Sequence, residues 1–471
     1  MSRLCFAKNL AGFADVAHWL GMRRSWLDET SARLMTLALL GLAATTSCVE
    51  GGSSLSKTED DDASLPNVPP PPENGPKLGS IANLTPVLER PTLRAKQIGY
   101  LHAGAFTARS TEPVRKTKDC EQGFYAIFPR GFVCLNQGAT LDLGHPTLAA
   151  MAIQPSFDQP LPYTFGRARS ETPLLERDPA REDGVRELSK LAKGSGMAVV
   201  GSWTARVAGG EPERLGLLTN GRFVRAEDLE AARPSKFSGY SIGDETPLPV
   251  AFVVKRGIRN YKLDGDGLIK DETIDYHETV RLSGRFRTLG GVKFWALVGA
   301  ERWVRDQDVT AIHRRSKFPE FVRDGLRWID VGVSLGTLVL YEGTRPLFAT
   351  LVSTGHDRFE NPALGQTHQA VTKLGVFEVV KKHVSALSVG PDRPGERYSL
   401  FDVPWALELS SGQYLYGAYW HDRFGIEHGP GDVMLAPADA QRVFHWATPA
   451  LPKGWHATAQ GSEKTLVYVR K

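Results

Sequence analysis

The chain has 471 residues, 41% hydrophobic and 23% charged, which is a soluble-protein composition too long for one ordinary core. A net charge of +4 without a basic block gives no footprint for nucleic acid. The 47 glycines and 30 prolines favour many turns and short strands over long helices.

The first 48 residues read as a targeting segment. "LMTLALLGLAA", Leu34 to Ala44, is uncharged and apolar, too short to span a bilayer and of the length of a signal core. Arg23, Arg24 and Arg33 precede it, and "ATTSC" follows, ending at Cys48. This resembles a bacterial lipoprotein signal, which implies that Cys48 is lipidated and anchors the chain to a membrane. Export as a soluble secreted or periplasmic protein is the alternative. Residues 49–85 contain "GGSSLSKTEDDDASLPNVPPPPENGPK", with too little to bury, and are expected to form a disordered tether.

Residues 86–140 alternate short apolar runs with turn signals, as in "AKQIGYLHAGAFTAR" and "GFYAIFPRGFVCL", and predict a small β-barrel. The closing "GFYAIFPRGFVC" resembles the last strands of the bacterial Src-homology-like barrel. Cys120 and Cys134 are the two cysteines outside the targeting segment. A disulfide between them fits an exported protein, with two buried free thiols the alternative. Residues 141–270 read as an irregular α+β region in which "REDGVRELSKLAKG" and "RAEDLEAAR" are expected helices. Residues 271–315 read as a second small β module whose close, "RWV", has the rhythm of the first. "KLDGDGLIKDE", Lys262 to Glu272, has the look of a calcium loop but not its ligand spacing, and reads as a tight turn between strands.

Residues 316–471 predict a mostly β domain closed by a helix. "RWIDVGVSLGTLVLYEGTRPLFATLVSTG", "TKLGVFEVVKKH" and "ALELSSGQYLYGAYW" are strands, and "APADAQRVFHWA" is a helix with Val443, Phe444 and Trp446 toward the core. The overall class is therefore mainly β with short helices, multidomain, with small barrels before the larger domain.

Residues Arg327 to Trp446 resemble the L,D-transpeptidase catalytic domain. "LVLYEGTRPLFATLVSTG" is similar to its opening hairpin, and "TKLGVF" to its Thr-Pro-x-Gly-x-Phe turn, with Lys373 for the proline. "LYGAYWHDRFG" is similar to the segment carrying an upstream His-Gly, and "VMLAPADAQRVFHW" to the segment after the nucleophile. The resemblance implies acyl transfer on peptidoglycan stem peptides by the cysteine of a Ser-His-Gly-Cys motif, with no cofactor. That chemistry needs a thiolate, a base or cation to hold it, and backbone N–H groups for the oxyanion.

The motif is degenerate here. Gly429, Pro430, Gly431 and Asp432 occupy its four positions, so Asp432 stands for the cysteine and Pro430 for the histidine. Met434 replaces an Asn or Arg, and Tyr416 replaces the upstream histidine before Gly417. A second register sets Glu427, His428 and Gly429 on Ser-His-Gly and Pro430 on the nucleophile. Asp432 reads as a solvated turn residue. His421 beside Asp422, and His428, are the remaining polar candidates. Together with His445 they show no recognised metal-ligand spacing.

These readings predict an envelope lipoprotein whose transpeptidase-like domain binds peptidoglycan, its muropeptide stems or an envelope partner without catalysis. An active L,D-transpeptidase and a purely structural scaffold are the alternatives. No metal or nucleic acid is expected.

Overall fold

The computed structural model describes residues 68–205, 211–299, 301–355, 358–361, 366–369, 371–389, 399–428, 431–459 and 461–471. The targeting segment with Cys48, the tether up to residue 67, and both Gly429 and Pro430 lie outside the described residues. The described part is mainly β, as expected.

Three small β modules precede a larger β domain, and all three close in the same way. Each ends in a strand, a three-residue 3-10 helix and a short final strand. The helices are Leu135–Gln137, Ala226–Asp228 and Asp306–Asp308. The final strand then returns antiparallel onto the first strand of its own module. The pairings are Ala139–Thr140 on Lys77–Ser80, Leu229–Ala231 on Thr164–Ala168, and Val309–Ile312 on Val250–Val253. Joining last strand to first is what converts a short meander into a barrel and removes its edges.

Several borders differ from the sequence reading. The first barrel already begins at Lys77–Ser80, where Leu78 is fully buried, so the end of the expected tether is folded. The region read as irregular α+β holds a complete second barrel, Thr164 to Ala231. The third begins at Val250, not near residue 271.

Both expected helices of the middle region are absent. Val185–Leu191 pairs as a strand with Thr172–Arg177. Its charged residues have good helix propensity, but Gly184 at φ 72° turns the chain, and the ends Val185 and Leu191 supply buried contacts. "RAEDLEAAR" divides between the 3-10 turn and a three-residue strand. At "KLDGDGLIKDE" the structure has the expected hairpin, with Leu263 opposite Leu268 and Asp264 opposite Gly267.

Cys120 and Cys134 form a disulfide, buried beside Leu88 and Phe124. It joins one end of strand Cys120–Ala126 to strand Phe132–Cys134, within the first barrel.

In the C-terminal domain strand Arg327–Gly332 lies between Thr337–Glu342, antiparallel, and Leu466–Arg470, parallel. Strand Gly375–Val389 pairs with Leu400–Leu409 and turns its start onto Leu466–Arg470. Helix Pro437–Trp446 buries Val443 and Phe444 against this core, with Trp446 partly buried.

The domain and its barrels share cores. Trp455, fully buried, belongs to the hydrophobic core of the first barrel. Gly99 permits this, since a Cβ there would lie 2.5 Å from the Trp455 ring. Tyr419 enters the core of the second barrel and lies 4.5 Å, ring to ring, from Phe165. Phe424 packs with Phe237 and Phe252 at the third barrel.

Candidate functional site

The site proposed by the resemblance lies where strand Tyr414–Gly417 runs parallel to strand Val433–Leu435 and leads into helix Pro437–Trp446. Leu415 pairs with Val433, Tyr416 with Met434, and Gly417 with Leu435. Alternation then sends Leu415 and Val433 into one core, and Tyr416 and Met434 into another. The hairpin, the strand pair and the following helix expected in this part of the chain are all present.

Tyr416 and Met434 are fully buried among Phe252, Phe424 and Ala436. Gly417 has a packing role, because a Cβ there would come within 3.2 Å of Ala440 and of Pro404. Gly431 takes φ 105°, a region that favours glycine, and its carbonyl accepts the Gln413 side-chain amide.

Asp432 departs from the sequence reading. It is 9% exposed rather than solvated. Its Oδ1 accepts the backbone N–H of Tyr414 at 2.8 Å. Burial pushes its carboxyl up to about 7, and the Tyr414 hydrogen bond opposes the shift. The carboxylate thus joins two neighbouring strand ends.

The histidine candidates converge on one another. The His421 and His428 rings lie 5.0 Å apart and perpendicular. His421 Nδ1 accepts the backbone N–H of Arg423 at 3.1 Å. The backbone N–H of His428 donates to Thr354 O at 2.8 Å. The Asp422 carboxylate turns to the third barrel and the link before it, accepting from Ser235 Oγ at 2.5 Å and pairing with Arg256 at 3.2 Å and His277 Nδ1 at 3.3 Å. Tyr276 Oη donates to its carbonyl at 3.1 Å. His445 sits against Trp405, at 5.4 Å, and Phe157. Among the described residues no three His, Cys, Asp or Glu side chains are placed to hold a metal ion.

Segment Tyr416–Phe424 is therefore an interdomain clamp. Tyr419 fills the second barrel, while Asp422 and Phe424 hold the third.

Asp402, Lys382 and Asp439 are among the buried ionisable groups that the sequence reading did not single out. Asp402 accepts from Ala198 N at 3.2 Å, Thr219 Oγ1 at 2.9 Å and Ser385 Oγ at 3.0 Å, which ties the second barrel to the C-terminal domain. Burial raises it to about 7. Lys382 donates to Ala447 O at 2.6 Å, at the C-terminal end of the helix, with Nζ 4.6 Å from the Phe444 ring centre. Burial, with Arg327 nearby, lowers it to about 7. Asp439 accepts from Gly239 N at 3.0 Å, Ser238 Oγ at 3.2 Å and Thr350 Oγ1, and burial raises it to about 6. A charged residue at an inward strand or helix position carries no mark of its partners in the sequence.

No protein-family model and no curated protein matches the chain. Comparison with solved structures gives L,D-transpeptidases at low identity and partial coverage. One from Xylanimonas cellulosilytica is 16% identical, with 33% of this chain and 65% of that one covered and a TM-score of 0.23. A mutant Enterococcus faecium enzyme is 17% identical, with 34% and 55% covered and a TM-score of 0.23. One from Mycobacterium smegmatis is 16% identical, with 41% and 82% covered and a TM-score of 0.23. The chain spans less than two thirds of the first two of these. Overlap of this extent and identity assigns no activity to this chain.

Proposed function

We propose that the C-terminal domain is an L,D-transpeptidase-like domain that binds peptidoglycan without processing it, held at the cell envelope by a lipid anchor on Cys48. One observation carries the non-catalytic half of this reading. Asp432, at the nucleophile position, is buried and bonded to Tyr414 N, while the chain has no cysteine beyond the disulfide-bonded Cys134. A carboxylate is a poor nucleophile toward an amide, and this one is turned to a backbone donor. The clamp made by Tyr419, Asp422 and Phe424 supports the same conclusion, because it commits the loop to holding the barrels. The binding half rests on the resemblance of Arg327 to Trp446 to a family that acts on peptidoglycan stems.

Co-sedimentation of the full chain with purified sacculi tests the binding half. Saturable retention of wild-type protein on sacculi, with none on lipid-free chitin, is the expected result. Equal loss from both pellets contradicts binding and leaves the scaffold reading.

A further inference from the structure

The last strand of the third barrel, Val309–Ile312, leads into a linker that packs on the sheet of the C-terminal domain. Phe318 and Phe321 of this linker meet the Trp328 ring edge-on, at 6.4 and 5.7 Å. Arg315 comes before them and lies 5.8 Å over the Trp328 ring and 5.7 Å over that of Tyr468. In the sheet, Gly332 pairs with Thr337 on one side and Arg470 on the other. It leaves room for the Arg470 guanidinium, which lies 3.5 Å from where a Cβ would stand.

Asp330 anchors this corner. Its carboxylate accepts Arg315 Nη1 at 2.5 Å, Arg470 Nε at 2.9 Å and Arg470 Nη2 at 3.3 Å. Arg315 Nε also donates to Lys317 O at 2.7 Å, and Arg470 Nη1 to Lys471 O at 3.5 Å. The two guanidiniums are thereby fixed, yet their side chains stay 21% and 33% exposed while that of Asp330 is only 4% exposed. Both arginines border a cavity of about 370 Å³.

The charges that line this cavity specify its ligand. Its cations are Arg314, Arg315, Lys317 and Arg470, and its one carboxylate is Asp330, hidden beneath two of them. Burial, and then Lys293 nearby, push the His313 imidazole down, which keeps it neutral at neutral pH. The other lining residues are uncharged, so four cations against one carboxylate leave three positive charges. Arg314 and Lys317 are exposed and form no ion pair among the described residues. Like charges gathered in one concavity repel, and a bound anion relieves that repulsion. A carboxylate brings one charge. A phosphate ester brings about two, with three oxygens that can each accept from a guanidinium fork.

We propose that the cavity between this linker and strand Leu466–Arg470 binds a phosphate monoester, with Arg315 and Arg470 as fixed donors and Arg314 and Lys317 as the exposed cationic contacts. None of the lining residues belongs to strand Tyr414–Gly417 or Val433–Leu435, so the site stands whether or not the C-terminal domain binds peptidoglycan.

Isothermal titration of the full chain at pH 8 and low salt with glycerol 3-phosphate and with acetate tests this. Glycerol 3-phosphate is expected to bind saturably, and acetate more weakly by about tenfold or more. The Arg314→Gln/Lys317→Gln double variant leaves the Asp330 pairs in place and should lose about tenfold in affinity for glycerol 3-phosphate. Co-sedimentation with phosphatidylcholine vesicles, with and without phosphatidic acid, distinguishes the source of the ester. Retention that needs phosphatidic acid and is lost in the double variant supports a lipid headgroup. Binding of glycerol 3-phosphate without such retention supports a soluble ester. Absence of saturable glycerol 3-phosphate binding below about 10 mM, acetate binding as tight, or an unchanged double variant overturns the proposal.

Discussion

The carboxylate of Asp432 accepts the backbone N–H of Tyr414 at 2.8 Å, across the two strands where the resemblance would set a nucleophile beside its histidine. This contact makes Asp432 a strand tie that carries an electrostatic cost. Its carboxyl is raised to about 7 by burial, against about 3.9 in an unfolded chain. The folded state therefore binds the proton more tightly, and the contribution of Asp432 to stability falls as pH rises from about 4 to about 7. Asp432→Asn keeps the acceptor for Tyr414 N–H and removes the titration. Denaturant unfolding should show the variant equal to wild type near pH 4 and more stable by about 4 kcal/mol at pH 8. A difference independent of pH would mean that the carboxyl titrates as if in water.

Lys382 carries the opposite sign. Its ammonium is lowered to about 7 by burial, against about 10.4 in an unfolded chain. The unfolded chain holds that proton more tightly, so the contribution of Lys382 to stability rises from pH 7 to pH 10. Lys382→Met keeps apolar contact with Phe444 and loses the bond to Ala447 O. Wild type should gain about 3.5 kcal/mol on the variant between pH 7 and pH 10. Parallel stability curves over that range would contradict the assignment.

The Cys120–Cys134 bridge closes a loop of sequence separation 14. In the chain-entropy model that closure contributes about 3 kcal/mol. A Cys120→Ala/Cys134→Ala variant should lose about that much in denaturant unfolding, with the transition of the first barrel most affected. An unchanged midpoint would show that the barrel core around Leu78 and Trp455 suffices alone.

Asp422 holds the third barrel to segment Tyr416–Phe424 through Arg256 and His277, and the link before that barrel through Ser235. The contacts are partly exposed, so Asp422→Ala should cost only about 1 kcal/mol globally. Its local effect should be larger. Amide hydrogen exchange in residues 420–428 should speed up several-fold, while helix Pro437–Trp446 is unaffected. Equal exchange in both proteins would mean that Phe424 packing alone fixes the loop.

Periodicity and turn residues disclosed the strands from Arg327 to Ser353, the helix over Pro437–Trp446 and the first barrel, because each buries one regular face. The second barrel was hidden. "VRELSKL" carries helix-forming residues, and only pairing with Thr172–Arg177 makes it a strand. That the last cysteine is Cys134 was legible from residue identity. The burial of Asp432 was not, since an aspartate after Gly-Pro-Gly reads as a turn until the strand beside it is known. The entry of Tyr419 and Trp455 into neighbouring barrels was likewise invisible. Aromatic residues mark a core but not which core.

Acyl transfer by the C-terminal domain is read by intact mass of the full chain after incubation with a tetrapeptide muropeptide, with released D-alanine measured in the same reaction. An unmodified mass and no D-alanine above the protein-free control are expected. A stem-peptide adduct on the chain, or D-alanine released in proportion to protein, would contradict this expectation and return Asp432, His421 and His428 to consideration as catalytic groups.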